Sequence, residues 1–232
     1  MAGRARGVFI AGTDTEVGKT RVAVAIVRAL VGVGLKVAAM KPVAAGAVQT
    51  ADGLRNADAL DLQAAANVAA PYRTVNPFCL PEPTSPHIAA RSAGIRVEIP
   101  VIEREYATLA SRADLVVVEG AGGWLAPIGE AETMADIARA LNLPVVLVVA
   151  LRLGCLNHAL LTARAVRAAG LPLAGWVANG IQPHFPHAAE TIAYLERALA
   201  APLLESVAFD ASAFASVTAV ERLRSRLLPV VM

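Results

Sequence analysis

Long apolar runs are missing from this chain. Although 56% of its 232 residues are hydrophobic, Ala and Val dominate and fall into short segments, none near the ~18 consecutive apolar residues that a bilayer span requires. Cysteine is nearly absent. Cys79 and Cys155 are the only two, far apart and without metal-ligand neighbours, a pattern of buried thiols in a reducing compartment rather than of a disulfide framework. An excess of one charge is missing too: 21 Lys and Arg against 19 Asp and Glu leave +2. The signs are scattered, so no basic stripe for nucleic acid and no polybasic patch for a membrane is expected. Arg4 and Arg6 precede an apolar stretch too short for the core of a secretory leader. A cytoplasmic location is the expectation.

Lysine is scarce in an informative way. Of the 21 basic residues only Lys19, Lys36 and Lys41 are lysine. The two cations are not interchangeable where a compact charge must fit among phosphates. Lys36 is expected within the second strand, snorkelling to solvent. Lys41 has two readings, a second ammonium for an anion site or a solvated residue at a strand end.

Lys19 belongs to the clearest motif. Gly12 to Thr20 reads GTDTEVGKT and satisfies G-x-x-x-x-G-K-[ST], the loop that cradles nucleotide phosphates. It follows the apolar run Gly7-Val8-Phe9-Ile10-Ala11 and precedes an amphipathic stripe with Val22, Ile26 and Leu30, so strand, loop and helix come in the required order. Gly12 and Gly18 let the backbone turn and approach an anion, so that N–H groups and the helix N-terminus face phosphate oxygens. Lys19 supplies a point charge to the β- and γ-phosphates, and the Thr20 hydroxyl is a ligand for Mg²⁺.

Strand-like segments recur at 8–11, 37–41, 115–119, 145–151, 173–179 and 203–207. Between them helical patterns fall at 20–33, 58–66, 87–93, 102–112, 133–141, 156–169, 187–199 and 218–228. Most strands are continuously apolar, as strands covered on both faces are. The expectation is one α/β domain over residues 1–232, a doubly wound, mostly parallel sheet with helices on both faces, of the P-loop nucleotide-hydrolase type. The Pro-rich stretch 71–86 reads as an ordered excursion rather than a hinge.

Ligands in such sheets bind beyond the carboxyl ends of the strands. There the third strand delivers Glu119, followed by Gly120-Ala121-Gly122-Gly123. A carboxylate so placed can hold Mg²⁺ directly or through water; the glycines serve either a close ligand approach or only a turn. The fifth strand ends in Asn179, whose amide matches the N6 and N7 edge of adenine or forms a turn before Gly180.

Taken together, GTDTEVGKT, Lys41-Pro42-Val43, Gly53 to Ala59 (GLRNADA), Pro83 to His87 (PTSPH), Val118 to Gly123 (VEGAGG) and Leu153 to His158 (LGCLNH) resemble the dethiobiotin synthetase family. The resemblance runs from about Phe9 to Leu204. It implies an ATP- and Mg²⁺-dependent ligase that builds the cyclic urea of dethiobiotin from 7,8-diaminononanoate and CO₂ through a carbamate that is phosphorylated by ATP. By the same resemblance Lys19 and Lys41 are catalytic. Glu16, Val17, Gly18, Lys19 and Thr20, with Asp58, Glu119, Gly120, Ala121, Gly122 and Asn179, bind the nucleotide. Thr20, Asp58 and Glu119 hold Mg²⁺. Asp58 on its own reads equally as a first-turn acid favouring a helix dipole. Thr15, Lys41, Ala45 and Gly122 match the diamine pocket. Gly154, Cys155 and Asn157, at a helix N-terminus suited to a carboxylate, match a segment supplied by the partner of a homodimer.

Three positions depart from the family pattern. Ala45 stands in place of a substrate-contacting serine, Gly180 in place of an acidic residue, and the stretch from Val207 to Asp210 lacks a proline of the nucleotide loop. Two other readings share the architecture: an ATP-driven dimerisation switch of the partitioning type, and a related ATP-dependent amide-forming ligase. The switch usually carries an extra Lys at the second loop position. Here that residue is Thr13.

Overall fold

The computed structural model describes residues 7–209 and the helix Val217–Leu227. Arg4, Arg6, Asp210 and Leu228 lie outside these residues. Along the chain β1 (Gly7–Gly12) leads through the phosphate loop into α1 (Lys19–Gly32) and back into β2 (Val37–Met40). An excursion follows, made of β3 (Val43–Ala44), the hairpin β4 (Val48–Thr50) and β5 (Gly53–Arg55), α2 (Ala57–Ala65), α3 (Tyr72–Val75), β6 (Phe78–Cys79), α4 (Pro86–Ser92) and α5 (Ile99–Ala110). Regular alternation then resumes with β7 (Leu115–Glu119), α6 (Met134–Ala140), β8 (Val145–Ala150), α7 (Cys155–Ala168), β9 (Leu173–Asn179), α8 (Ala188–Ala198), β10 (Leu203–Val207) and α9 (Val217–Leu227).

Six strands form one sheet in the order β10-β9-β8-β1-β7-β2, every neighbouring pair parallel. The reason is visible in β1. Successive side chains of a strand point to opposite faces, and both sets here are apolar, so both faces must be covered. Val8 and Ile10 join Val22, Ile26 and Leu30 of α1, Leu62 of α2 and Leu223 of α9. Phe9 and Ala11 join Ile102 and Leu109 of α5, Ile137 of α6, Ala159 and Val166 of α7 and Leu195 of α8. Removing a fully buried side chain such as Ile26 costs about 2–5 kcal/mol, because the lost transfer energy adds to that of the cavity left behind.

The excursion between β2 and β7 is ordered, Pro-rich segment included. The Lys41 amide donates to the Val75 carbonyl at 2.8 Å, Leu80 to Ala44 at 2.8 Å and Gly46 to Glu82 at 3.0 Å. The Asn76 side chain donates to the carbonyl of Lys41 at 2.6 Å. These bonds hold residues 71–86 against the carboxyl end of β2. Lys36 is exposed and sits just before β2 rather than within it, and Lys41 lies one residue beyond the strand.

Candidate active site

The phosphate loop is pinned at its two ends. The Thr13 amide donates to Val148 of β8 at 3.1 Å, and the Val17 carbonyl accepts from Asn179 Nδ2 at 2.8 Å. Gly18 has φ 84°, in the left-handed region that favours glycine. A Cβ there would also lie 2.2 Å from Asn179 Nδ2. The α1 helix therefore begins with no side-chain cap and no acidic residue in its first turn, so its first N–H groups remain available to an anion. The Lys19 ammonium donates to the Asp14 carbonyl at 2.8 Å. Burial, and then repulsion from Lys41, lower its pKa to about 8.

Lys41 is not a solvated strand end. It is 3% exposed, and its ammonium donates to Glu119 Oε1 at 2.5 Å, to Asp58 Oδ2 at 3.1 Å and to the Gly120 carbonyl at 3.4 Å. Burial alone depresses a lysine, but the carboxylates of Glu119 and Asp58 outweigh it and hold Lys41 above its ordinary pKa. Glu119 is fully buried. Its Oε1 also accepts from the Thr20 hydroxyl at 2.8 Å, while Oε2 has no hydrogen-bond partner.

That orphaned oxygen tests whether a metal fits. Thr20, Asp58 and Glu119 offer the hard oxygen donors that Mg²⁺ prefers, and Glu119 Oε2 is a buried lone-pair donor with nothing to bind. Among the described residues no group of three or more His, Cys, Asp or Glu side chains is arranged to hold a metal. One or two carboxylates completed by substrate phosphates is the ordinary way Mg²⁺ is held. The donor set fits.

A cavity of about 710 Å³ opens above this floor, and Thr15, Glu16, Gly18, Lys19, Thr20, Lys41, Ala45, Asp58, Glu119, Ala121 and Gly122 all line it. The expected residues are thus brought together from β1, β2, α2 and β7. Val17 is fully buried and does not line the cavity, and its carbonyl is taken by Asn179. Gly120 presents its carbonyl to Lys41. Asn179 lies outside the lining, buried beneath the loop, with its donor on Val17 and its Oδ1 unpaired. Gly154, Cys155 and Asn157 are also away from this cavity. The Cys155 side chain is 3% exposed, which leaves Gly154, the exposed Asn157 side chain and the backbone to meet a ligand at the α7 terminus. A Cβ on Gly180 would sit 3.0 Å from both Phe209 N and Val207 O. An acidic residue at 180 therefore requires a shifted backbone.

Sequence reasoning overlooked several lining groups. Asn56 caps α2 by accepting from the Ala59 amide at 3.3 Å and ties it to the Ala45 carbonyl at 3.1 Å. The segment Pro83-Thr84-Ser85-Pro86 lines the same cavity as the loop. Asn before an acid-bearing first turn was the available signal for the first. The segment carried a signal only as the PTSPH block of the family resemblance.

Comparison with known proteins agrees with this geometry. A family profile described as an AAA domain matches residues 6–213. The ATP-dependent dethiobiotin synthetase BioD 1 of Salmonella typhi is 48% identical over 199 residues, 86% of this chain and 87% of the relative. The corresponding BioD of Vibrio vulnificus is 47% identical over 208 residues, 90% and 92% of the two chains. The chain belongs to the ATP-dependent dethiobiotin synthetase family. As a dethiobiotin synthetase it is a ligase that uses ATP.

Solved structures extend the likeness to the fold alone. The 54 kDa signal recognition particle protein of Aeropyrum pernix K1 with GDP has a TM-score of 0.55 at 16% identity, covering 98% of this chain and 47% of that one. A ParA family ATPase of Chlorobium tepidum TLS has a TM-score of 0.53 at 13% identity, covering 96% and 90%. These likenesses bear out the doubly wound sheet with its phosphate loop. Among the described residues no helix is long and apolar enough to cross a membrane.

Proposed function

We propose that this dethiobiotin synthetase closes the cyclic urea from 7,8-diaminononanoate, CO₂ and ATP, as a cytoplasmic homodimer. One amine of the diamine attacks CO₂ and loses a proton, giving a carbamate. A carbamate oxygen attacks the γ-phosphorus and ADP leaves. The second amine then attacks the carbamoyl carbon, phosphate departs with that oxygen, and the protons lost from nitrogen pass to solvent.

This chemistry demands positive charge more than it demands a base. A carbamate must approach a triphosphate that is already anionic, and phosphoryl transfer is governed by positioning and charge stabilisation. The observation that carries the reading is that two buried ammonium groups, Lys19 of the phosphate loop and Lys41, line one cavity. Lys19 steadies the phosphate oxygens, and Lys41 draws in the carbamate. Thr15, Ala45 and Gly122 line the space for the diamine. Thr20, Asp58 and Glu119 would hold Mg²⁺, which would supply charge neutralisation for the anionic triphosphate. Asn179 bears on the nucleotide through the loop, whose Val17 carbonyl its Nδ2 holds at 2.8 Å.

The dimer is supported by what one chain leaves bare. The α7 helix begins at Gly154 with φ 94°, no side-chain cap and no first-turn acid. Beside it Leu153 is 95% exposed and Leu161 is 56% exposed. In the dimer this terminus receives the distant carboxylate of a diamine bound in the partner subunit. The test is stoichiometry. With diamine, bicarbonate and Mg²⁺ present, ADP, phosphate and dethiobiotin are expected to form in equal amounts, and omission of the diamine or of bicarbonate should stop all three. ATP consumption that ignores both omissions would sink the reading.

A further inference from the structure

The middle of the phosphate loop is more exposed than its ends. Between the anchors at Thr13 and Val17 lie Asp14, Thr15 and Glu16. Thr15 and Glu16 are exposed, and Glu16 has φ 57°, a left-handed conformation that costs a non-glycine residue free energy. Three bonds to Asp14 hold this apex. Its Oδ1 accepts from the Thr15 amide at 2.8 Å, its carbonyl from Lys19 Nζ at 2.8 Å, and its Oδ2 from Arg152 Nη2 at 2.5 Å.

Only the last of these comes from outside the loop, and its origin is rigid. Arg152 leaves the end of β8, the strand hydrogen-bonded beside β1. Leu151 before it donates to the Asn179 carbonyl at 2.8 Å, and the Arg152 carbonyl accepts from the Cys155 amide at 3.1 Å. The guanidinium therefore reaches the loop from a fixed platform.

We propose that Arg152 is a positioning residue for the nucleotide: by holding and neutralising the Asp14 carboxylate, it fixes the apex of the phosphate loop and removes a negative charge that opposes the triphosphate. The inference rests on the phosphate-binding role of this loop. The two side chains are 39% and 46% exposed, so the pair adds little to folding stability. Its effect lies in loop geometry. Without Arg152 a carboxylate on the phosphate loop loses its cation, and the carbonyl that orients Lys19 loses its tether.

The experiment measures affinity for a non-hydrolysable ATP analogue with Mg²⁺ by calorimetry, alongside KM for ATP, kcat and Tm, in Arg152→Met, Arg152→Lys, Asp14→Asn and the Arg152→Met/Asp14→Asn pair. Arg152→Met should weaken the analogue and raise KM for ATP about tenfold, as expected for a lost charge-assisted hydrogen bond. Values of kcat and Tm should change little, and Arg152→Lys should recover most of the affinity. In the double variant the effect of Arg152→Met should shrink, because the carboxylate that Arg152 neutralises is gone. Unchanged affinity, a fall in kcat at constant KM, or additive losses would overturn the proposal. Because affinity is read directly, failure to make dethiobiotin would refute the proposed reaction and leave this test standing.

Discussion

Two helices of this chain, α1 and α7, begin in the same way and end up in opposite surroundings. Each starts after a left-handed glycine, Gly18 at φ 84° and Gly154 at φ 94°, with no side-chain cap and no acid in its first turn. Each therefore presents unsatisfied N–H groups and the positive end of its dipole. At α1 the chain itself supplies the enclosure, a cavity lined by Lys41, Asp58 and Glu119 and by Pro83 to Pro86. At α7 the first residue of the terminus stands open among the described residues. A Cβ on Gly154 would meet no atom within 4 Å. Local backbone grammar makes an anion-receptive helix end, and tertiary context decides whether one chain completes it.

The strongest way to break this contrast is to empty the α1 end of its buried cation. Lys41→Gln keeps a donor for Glu119 but loses the charge, and turnover should fall about a thousandfold, the scale of a lost electrostatic stabiliser, while ATP affinity stays within severalfold. A steady-state assay beside calorimetry checks this, and undiminished turnover removes Lys41 from the mechanism. A smaller effect is expected at the α7 end. Leu153→Asp places a carboxylate beside a helix terminus meant for another, and should raise KM for the diamine by about tenfold or more while shifting the protein towards monomer in sedimentation. An unchanged dimer with unchanged KM would show that α7 takes no part.

The pH dependence of binding sharpens the account of α1. Because Lys19 has its pKa lowered to about 8, it is protonated below that pH and ready for phosphate. Above it, a bound phosphate must first draw a proton onto the ammonium. ADP affinity measured with a chelator present should be flat below pH 8 and fall by up to about tenfold per unit above it. A flat profile up to pH 10 would mean that Lys19 does not bear on the nucleotide. The smallest change is Ala45→Ser, which restores a hydroxyl to the cavity wall and should tighten diamine binding by about 1 kcal/mol. No change in KM for the diamine would mean that the pocket does without it.

Much of this was legible from residue order. Strands such as Val145–Ala150 stand out because burial on both faces demands uninterrupted apolar runs, and each lies within a residue or two of its expected bounds. Helices of eleven or more residues, such as α8, were visible in their periodicity. The pieces overlooked, β3, β4, β5, β6 and α3, span two to four residues, too few to show a period. The loop, Lys41 and Glu119 were readable because motif and strand end coincide. The bond from Arg152 to Asp14 was not, since it joins residues 138 positions apart through adjacency of β1 and β8, which no local pattern encodes. Lys41 illustrates the same limit. Its position was visible at the end of a strand, but its burial beside two carboxylates depends on the excursion folding back over β2.

The most direct measurement follows an oxygen atom. If two ammonium groups bring a carbamate to the γ-phosphorus, then CO₂ labelled with heavy oxygen and supplied to the diamine, ATP and enzyme, with the reaction quenched before the label exchanges with water, should yield phosphate carrying one labelled oxygen. Phosphate whose new oxygen comes from water would show that ATP is merely hydrolysed, and would contradict the account.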